Sequence, residues 1–414
     1  MMRYISLAFL MLISNIVVAQ HTTKSEKEGS IGGPDQVENQ MKADNKPKQP
    51  FFEFSFAQPY FEFKDSLAKN TGFSFGVDYS SVYLKSDVSE GTDNASSGMA
   101  RLYGSWDLTG RGTKNTGALN FKVEHRHRYG DLAPKELGFD MGYVGLIEPP
   151  FNNDGLRMTN LYWRQRMKNG KFAIMAGLLD ATDYVDVYAL ASPWMHFMNF
   201  AFSTGSQTVY IPNDAALGIA AGGYLTDNIY VIAGISDAGS DPTKPIENFE
   251  SFFENNDYFK VIEAGWVTSQ ERHFFDNIHV TYWNSDGSPV TGSIAGWGLA
   301  FSATHYLNDK WLPFIRGGYA EDGGTLLQKS LTAGFGYQKN PGGSLFGAAI
   351  GWGEINETTW LVGLDDQVTM ELFYRIQLST RFAVTPDVQY LIDPALNPDE
   401  SSIFVWGVRA RLGL

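Results

Sequence analysis

The sequence predicts an all-β fold: a transmembrane antiparallel β-barrel of the outer-membrane type, with about 16 strands and 18 also compatible. Three observations carry that reading. Alternation with period two fills most of the chain, which is the strand signature. Its apolar positions are large and often aromatic, while its polar positions are rich in arginine. The chain also opens on a segment built for export.

Composition bounds what else the chain can be. It has 414 residues, 43 of them glycine and none of them cysteine, and 14% are aromatic. Without cysteine there is no disulfide scaffold, zinc–thiolate site, iron–sulfur cluster or cysteine nucleophile. The net charge is −14, and removal of Arg3 with the first nineteen residues makes it −15. That acid excess argues against nucleic acid, whose binding relies on basic patches that release counterions.

Taken in order, the chain begins Met1-Met2-Arg3 and continues with an apolar run from Tyr4 to Val18. Small residues at Val17 and Ala19 make residues 1–19 a cleavable secretory signal peptide; a single membrane anchor is the plainer alternative. No cysteine follows Ala19, so a lipoprotein anchor is excluded. Residues 20–50 then turn to Lys, Glu, Gln, Asn, Gly and Pro, with five acids and five lysines. Too few apolar side chains are present to offset the entropy of ordering, which predicts a polar disordered linker. The barrel domain is expected over residues 51–414.

No later segment reads as a spanning helix. The uncharged stretch between Asp186 and Asp214 is broken by Pro193, His196, Asn199 and the Ser203–Gln207 run, and falls short of ~20 predominantly apolar residues. Alternation is clearest at the end of the chain. Phe404, Trp406, Val408, Ala410, Leu412 and Leu414 share one face, and Gly407, Arg409, Arg411 and Gly413 share the other. The strand expected before it runs from Glu371 to Phe382, setting Glu371, Phe373, Arg375, Gln377, Ser379 and Arg381 against Leu372, Tyr374, Ile376, Leu378, Thr380 and Phe382. Lys122, Glu124, Arg126 and Arg128 alternate in the same way with Phe121 and Val123, as do Tyr162, Arg164 and Arg166 with Leu161 and Trp163. Turn-like clusters at Asn169-Gly170, Asp286-Gly287, Asp322–Gly324 and Asn340–Gly343 punctuate these runs.

A soluble sandwich satisfies the same alternation with its faces exchanged. The export segment, the apolar terminal strand, the Tyr and Trp near strand ends and the spaced turns favour the barrel. Residues 51–414 spread over 16 strands allow about 23 residues per strand with its connection. A spanning strand takes roughly 9–11 of these, so short turns alternate with long loops. A barrel of that size leaves an aqueous channel, whereas about eight strands would fill with side chains.

The C-terminal residues carry a family likeness. Glu371-Leu-Phe-Tyr-Arg-Ile-Gln-Leu378, Thr385-Pro-Asp-Val-Gln-Tyr390, Asp393-Pro-Ala-Leu-Asn-Pro398 and Val408-Arg-Ala-Arg411 together resemble the end of the carbohydrate-selective porin family (OprB-like). Upstream, Trp106-Asp-Leu-Thr-Gly-Arg-Gly112, Leu161-Tyr-Trp163 and Pro313-Phe-Ile-Arg-Gly317 are similar to further family segments. The likeness runs loosely from Gly72 to Leu414. It implies a roughly 16-stranded barrel in the outer membrane of a diderm bacterium, passing small glucose-like sugars passively. Two departures stand out: Leu414 replaces the common terminal Phe, and the early Trp–Gly segment is diverged.

Such a pore needs charged donors and acceptors that exchange hydrogen bonds with sugar hydroxyls, held weakly enough to permit exit. Parity assigns Arg126, Arg128, Arg164, Arg166, Arg316, Arg375, Arg381, Arg409 and Arg411 to the lumen, with Glu124, Glu263 and Glu371 as acidic partners. The plainer reading is an ion-pair ladder that stiffens the wall without touching substrate. A constriction loop is expected either from residues 180–204, which could equally form a strand pair, or from 246–259, where Phe249, Phe252 and Phe253 have helical spacing.

Enzyme signals are weak. His125 and His127 share a strand face of lipid-side parity and lack a third ligand, so no metal site is expected. Gly234-Ile-Ser-Asp-Ala-Gly239 is one residue too long for a nucleophile elbow, and no phosphate loop or His-Glu-x-x-His motif occurs. No cofactor is expected. The expected partners are small carbohydrates, outer-membrane lipid and the barrel-assembly machinery through the last strand, with a homotrimer left open. The rival readings are a general or ion-selective diffusion porin, a barrel hydrolase, and a structural or adhesin barrel without flux.

Overall fold

A computed structural model describes residues 32–53, 57–88, 91–360 and 363–414, so the predicted signal segment lies outside the described residues. Among the described residues sixteen strands, from β1 (Phe73–Ser86) to β16 (Ser402–Gly413), pair antiparallel with their sequence neighbours, and β1 closes on β16. Closure places Tyr79 opposite Leu412 and Val82 opposite Arg409. A closed sheet has no edge and satisfies its wall backbone internally, which is what a strand structure needs in hydrocarbon.

The side chains of this wall are inverted relative to a soluble sheet. In β16 Phe404, Trp406, Val408 and Leu412 are exposed on the outer surface, while Arg409 and Arg411 are buried inside. In β9 (Asn277–Ser285) Ile278, Val280 and Tyr282 face out, and His279, Thr281 and Trp283 face in. Among the described residues no helix is long and apolar enough to cross a membrane. The strands do the crossing.

One end of the barrel has short turns. Between β4 (Gly155–Met167) and β5 (Phe172–Leu179), Lys168, Asn169 and Gly170 all take positive φ, a tight reversal that Asn and Gly accept at little cost. The other end carries the long connections 129–154, 180–215 and 238–257. The last of these contains the helix Glu247–Glu254 anticipated from the phenylalanine spacing, although Phe249 and Phe253 stay exposed. The connection 180–215 is not a strand pair. It folds back inside the barrel as short 3-10 turns, nearly all of it buried.

Two expectations differ from the structure. The run Glu371–Phe382 is not one strand, and it does not directly precede the last. β14 (Gln367–Gln377) ends within it, residues 378–381 form a turn, and β15 (Phe382–Ile392) follows, so Thr385–Tyr390 is itself wall. The turn is closed by Ser379, whose hydroxyl accepts from the N–H groups of Arg381 at 3.3 Å and Phe382 at 3.0 Å. A four-residue break preserves parity, so alternation runs straight across it.

The polar segment is the second difference. Residues 20–31 lie outside the described ones, but from Gly32 the chain is ordered. Helix α1 (Val37–Asn45) lies within the barrel, where Asp35, Gln36, Glu38, Asn39 and Gln40 are all buried. A second helix, α2 (Gln58–Thr71), then leads into β1 and ends at Gly72 with φ 75°. A polar composition favours disorder where water is the alternative. A barrel lumen is itself polar, and it can bury a chain that no apolar core would accept.

Candidate functional site

The inward positions of the wall form columns of guanidinium and carboxylate groups, and two inserted segments meet them. The first is the connection 180–215. Asp186 binds the Arg316 guanidinium of β11 (Trp311–Asp322), accepts from His279 at 2.8 Å, and takes the N–H of Gly205 at 2.6 Å. Its own N–H donates to Glu263 of β8 (Tyr258–Val267) at 2.8 Å, and that carboxylate also accepts from Tyr230 and Thr281. Glu371 accepts from the N–H groups of Met198 at 2.5 Å and Asn199 at 2.9 Å. Arg409 binds Glu148 and the carbonyls of Pro193 and His196, while Arg375, among the described residues, donates to the Met195 carbonyl alone, at 3.5 Å. Burial first, then the Arg375 and Arg409 guanidiniums, hold His196 well below the ordinary imidazole range, so it is neutral.

The second insert is residues 32–48. Glu38 bridges Arg164 and Arg166, the latter at 2.6 Å. Asp44 receives both terminal nitrogens of Arg411, at 2.8 and 3.0 Å, and the Tyr103 hydroxyl at 2.5 Å. Burial would raise the Asp44 carboxyl, but Arg411 outweighs it and holds the group below the usual carboxylate range. Arg411 also pairs with Asp78, which binds Arg101 through Nε at 2.8 Å. Arg381 sits in the turn 378–381, where it donates to the Asp44 carbonyl and lies 3.9 Å over the Phe61 ring.

The remaining predicted residues fall elsewhere. Arg126 is satisfied by Glu124 at 2.7 Å and by Asp214 at 3.2 Å, which Arg157 shares. Arg128 departs from the expectation: as the last residue of β3 (Gly117–Arg128) it stands exposed at the rim and donates to the Asp131 carbonyl. His125 and His127 lie on the outer surface, where His127 meets the Tyr79 hydroxyl at 3.0 Å. Among the described residues no group of three metal-ligating side chains converges.

Sequence reasoning placed Asp186 in the candidate constriction loop but missed Asp78, Arg101 and Tyr103, together with the carboxylates of α1. Asp78 lies between Val77 and Tyr79, and Arg101 between Ala100 and Leu102, so a one-residue charge in an apolar frame was the available signal. Two water-accessible spaces flank the inserts. One of about 940 Å³ lies at the short-turn end between α1 and the wall, lined by Glu38, Lys42, Ser74, Arg164 and Arg166. The other, about 500 Å³ at the long-loop end, is lined by Tyr210, Asn213, Asp241 and Ser293. Ligand sites typically occupy roughly 300–1,000 Å³. The Nε of Arg375 and the Nε and Nη1 of Arg316 have no acceptor among the described residues. The lumen therefore keeps hydrogen-bonding capacity that the protein does not use itself.

Comparison with known proteins agrees with this geometry. The chain matches the family model described as carbohydrate-selective porin, OprB family, over residues 92–288 and 274–414. No curated protein sequence matches it significantly. Among solved structures, the high-pH structure of Pseudomonas putida OprB superposes with a TM-score of 0.68 at 12% identity, covering 86% of this chain and 97% of that one. The low-pH structure of the same protein gives 0.51 at 11% identity, covering 87% and 98%. A triple mutant of Rhodopseudomonas blastica porin gives 0.52 at 13% identity, covering 83% and 100%.

Proposed function

The chain belongs to the carbohydrate-selective porin family, OprB, and from that premise we propose how its lumen passes small sugars. The observation that carries the reading is the paired inner wall. Each sugar hydroxyl both donates and accepts a hydrogen bond, and a guanidinium beside a carboxylate offers the complement of both. Because opposite charges alternate at contact distance, the field felt by a passing ion is largely cancelled, while the hydrogen-bonding capacity is not. That favours a neutral polyol over an ion of similar size.

Within this wall we assign Arg316 and Arg375 to direct contact with sugar, since both have donors to spare, whereas Glu371 holds the inserted loop through the N–H groups of Met198 and Asn199. Arg126 and Arg409 are engaged by protein partners and act in structural pairs that hold the walls and the inserted loop. The barrel is a channel of the bacterial outer membrane. Export through residues 1–19, contact with lipid along the aromatic outer face and insertion by the assembly machinery through β16 follow from this reading. Neither a monomer nor a trimer is required for flux.

Liposome swelling tests the proposal. Glucose is expected to permeate readily, larger oligosaccharides slowly, and salts more slowly than their size alone would give. No swelling in any solute removes the porin reading, and equal permeation by ions and sugars replaces selectivity with general diffusion.

A further inference from the structure

The lumen contains an occupant that belongs to the chain itself. Residues 32–47 present carboxylates, amides and carbonyls to the wall, the same polar groups that a wall built for hydroxyls would bind. The Asp35 carboxylate accepts from the Trp194 indole N–H at 2.8 Å, and its carbonyl accepts from Lys122 at 3.3 Å. Gln40, with its amide oxygen turned to the wall, accepts from Arg101 at 2.6 Å. The Trp194 ring has the Arg101 guanidinium 4.9 Å away and the Lys122 ammonium 5.9 Å away. An aromatic face beside convergent charged donors is a surface onto which a hexose ring can lie.

This occupant is weakly rooted. Val37 is its only buried large apolar side chain among the described residues. Helix α1 has nine residues and no side-chain cap, whereas isolated helices below about 12–15 residues are marginal in water. Its hold consists of ion pairs and hydrogen bonds, the Gly33 N–H to the Asp183 carbonyl at 2.8 Å among them, and sugar hydroxyls offer the same wall groups bonds of the same kind. Gln49 donates to the Gly342 carbonyl at 2.9 Å and Phe51 to the Leu378 carbonyl at 3.1 Å, so the chain is pinned to the short-turn rim just after Pro47. The 940 Å³ space beside α1 gives it room to withdraw.

We propose that residues 32–47 are a displaceable occupant of a hexose subsite built from Arg101, Tyr103, Lys122 and Trp194, and that incoming sugar competes with the segment for those partners. The proposal rests on the sugar-porin reading above. A side chain at Gly33 would place its Cβ 2.9 Å from the Cβ of Val187 on the inserted loop, and a disulfide requires roughly 3.5–4.5 Å. A small shift therefore lets Gly33→Cys and Val187→Cys cross-link, in a chain that has no other cysteine.

In liposomes the oxidised double variant is expected to lose most of its glucose permeation and to regain it with dithiothreitol. A second variant, Glu38→Gln with Asp44→Asn, is expected to swell faster in glucose and to conduct potassium chloride better than the unsubstituted protein. Equal glucose permeation by oxidised and reduced forms, with the charge variant matching the unsubstituted protein, overturns the displaceable occupant and leaves the porin reading standing. Absence of glucose permeation in every form overturns both.

Discussion

The two segments that enter the lumen bind its charges alike and differ in what else holds them. The connection 180–215 pairs Asp186 with Arg316 and its backbone with Glu371, Arg375 and Arg409. It is also fixed at both ends by β5 and β6 (Ala216–Tyr224) and packed by rings. Phe197 meets Phe373 edge-on at 4.9 Å and Phe202 at 5.2 Å, and Tyr188 meets Phe314 at 5.1 Å. Residues 32–47 make the same kinds of ion pair through Glu38 and Asp44 with almost no apolar packing. Buried ion pairs specify position but contribute little net stability, whereas apolar burial contributes a great deal. The loop is architecture, and the N-terminal segment is an occupant.

The largest expected effect breaks the architectural side. Asp186→Ala leaves Arg316 and His279 without their shared carboxylate, and removing one partner of a buried pair costs about 3–5 kcal/mol. The variant is expected to lose its heat-modifiable gel shift at a clearly lower temperature and to give noisy conductance. Glu38→Ala, on the occupant, is expected to lower that temperature less, because the segment can swing away and let water reach Arg164 and Arg166. If the two variants melt alike, the contrast between the regions fails.

A smaller effect separates spare donors from saturated ones within the wall. Hydrogen bonds to charged groups contribute about 1.5–3 kcal/mol each. Arg375→Ala is accordingly expected to weaken sugar block of single-channel current by a comparable free energy. Arg126→Ala, whose guanidinium is taken up by Glu124 and Asp214, is expected to change sugar block little.

The smallest effect concerns pH. Arg411 holds the Asp44 carboxyl below its unfolded value, so the contribution of this pair is present above that value and is lost as pH falls through the lower, folded one. The ordinary aspartate value is about 3.9, so this contact is expected to persist unchanged between pH 5 and 8. A conductance trace flat across that range agrees. An opening transition inside it assigns the pH response to some group other than Asp44.

Much of the wall was legible in the sequence because lipid imposes one rule on every strand: large apolar side chains out, polar ones in. That rule gave the faces of β16 and β3 and the strand number from length. Parity alone could not show where a strand stops, and the turn at residues 378–381 was crossed unnoticed for that reason. Partner choice was not legible either. Asp186 lies far from Arg316 in sequence, and Asp44 is still further from Arg411, so no local spacing links them. The N-terminal segment was misread because polarity signals disorder only where water is the alternative, and here the alternative was a polar lumen.

The central claim is that the lumen recognises sugar rather than merely admitting solute. Single-channel current, measured while glucose is titrated against a polyethylene glycol of similar size, tests this most directly. The account predicts saturable block by glucose, weakened in Arg375→Ala, and only the non-saturating loss due to volume exclusion by the glycol. Indistinguishable traces for the two solutes would contradict it.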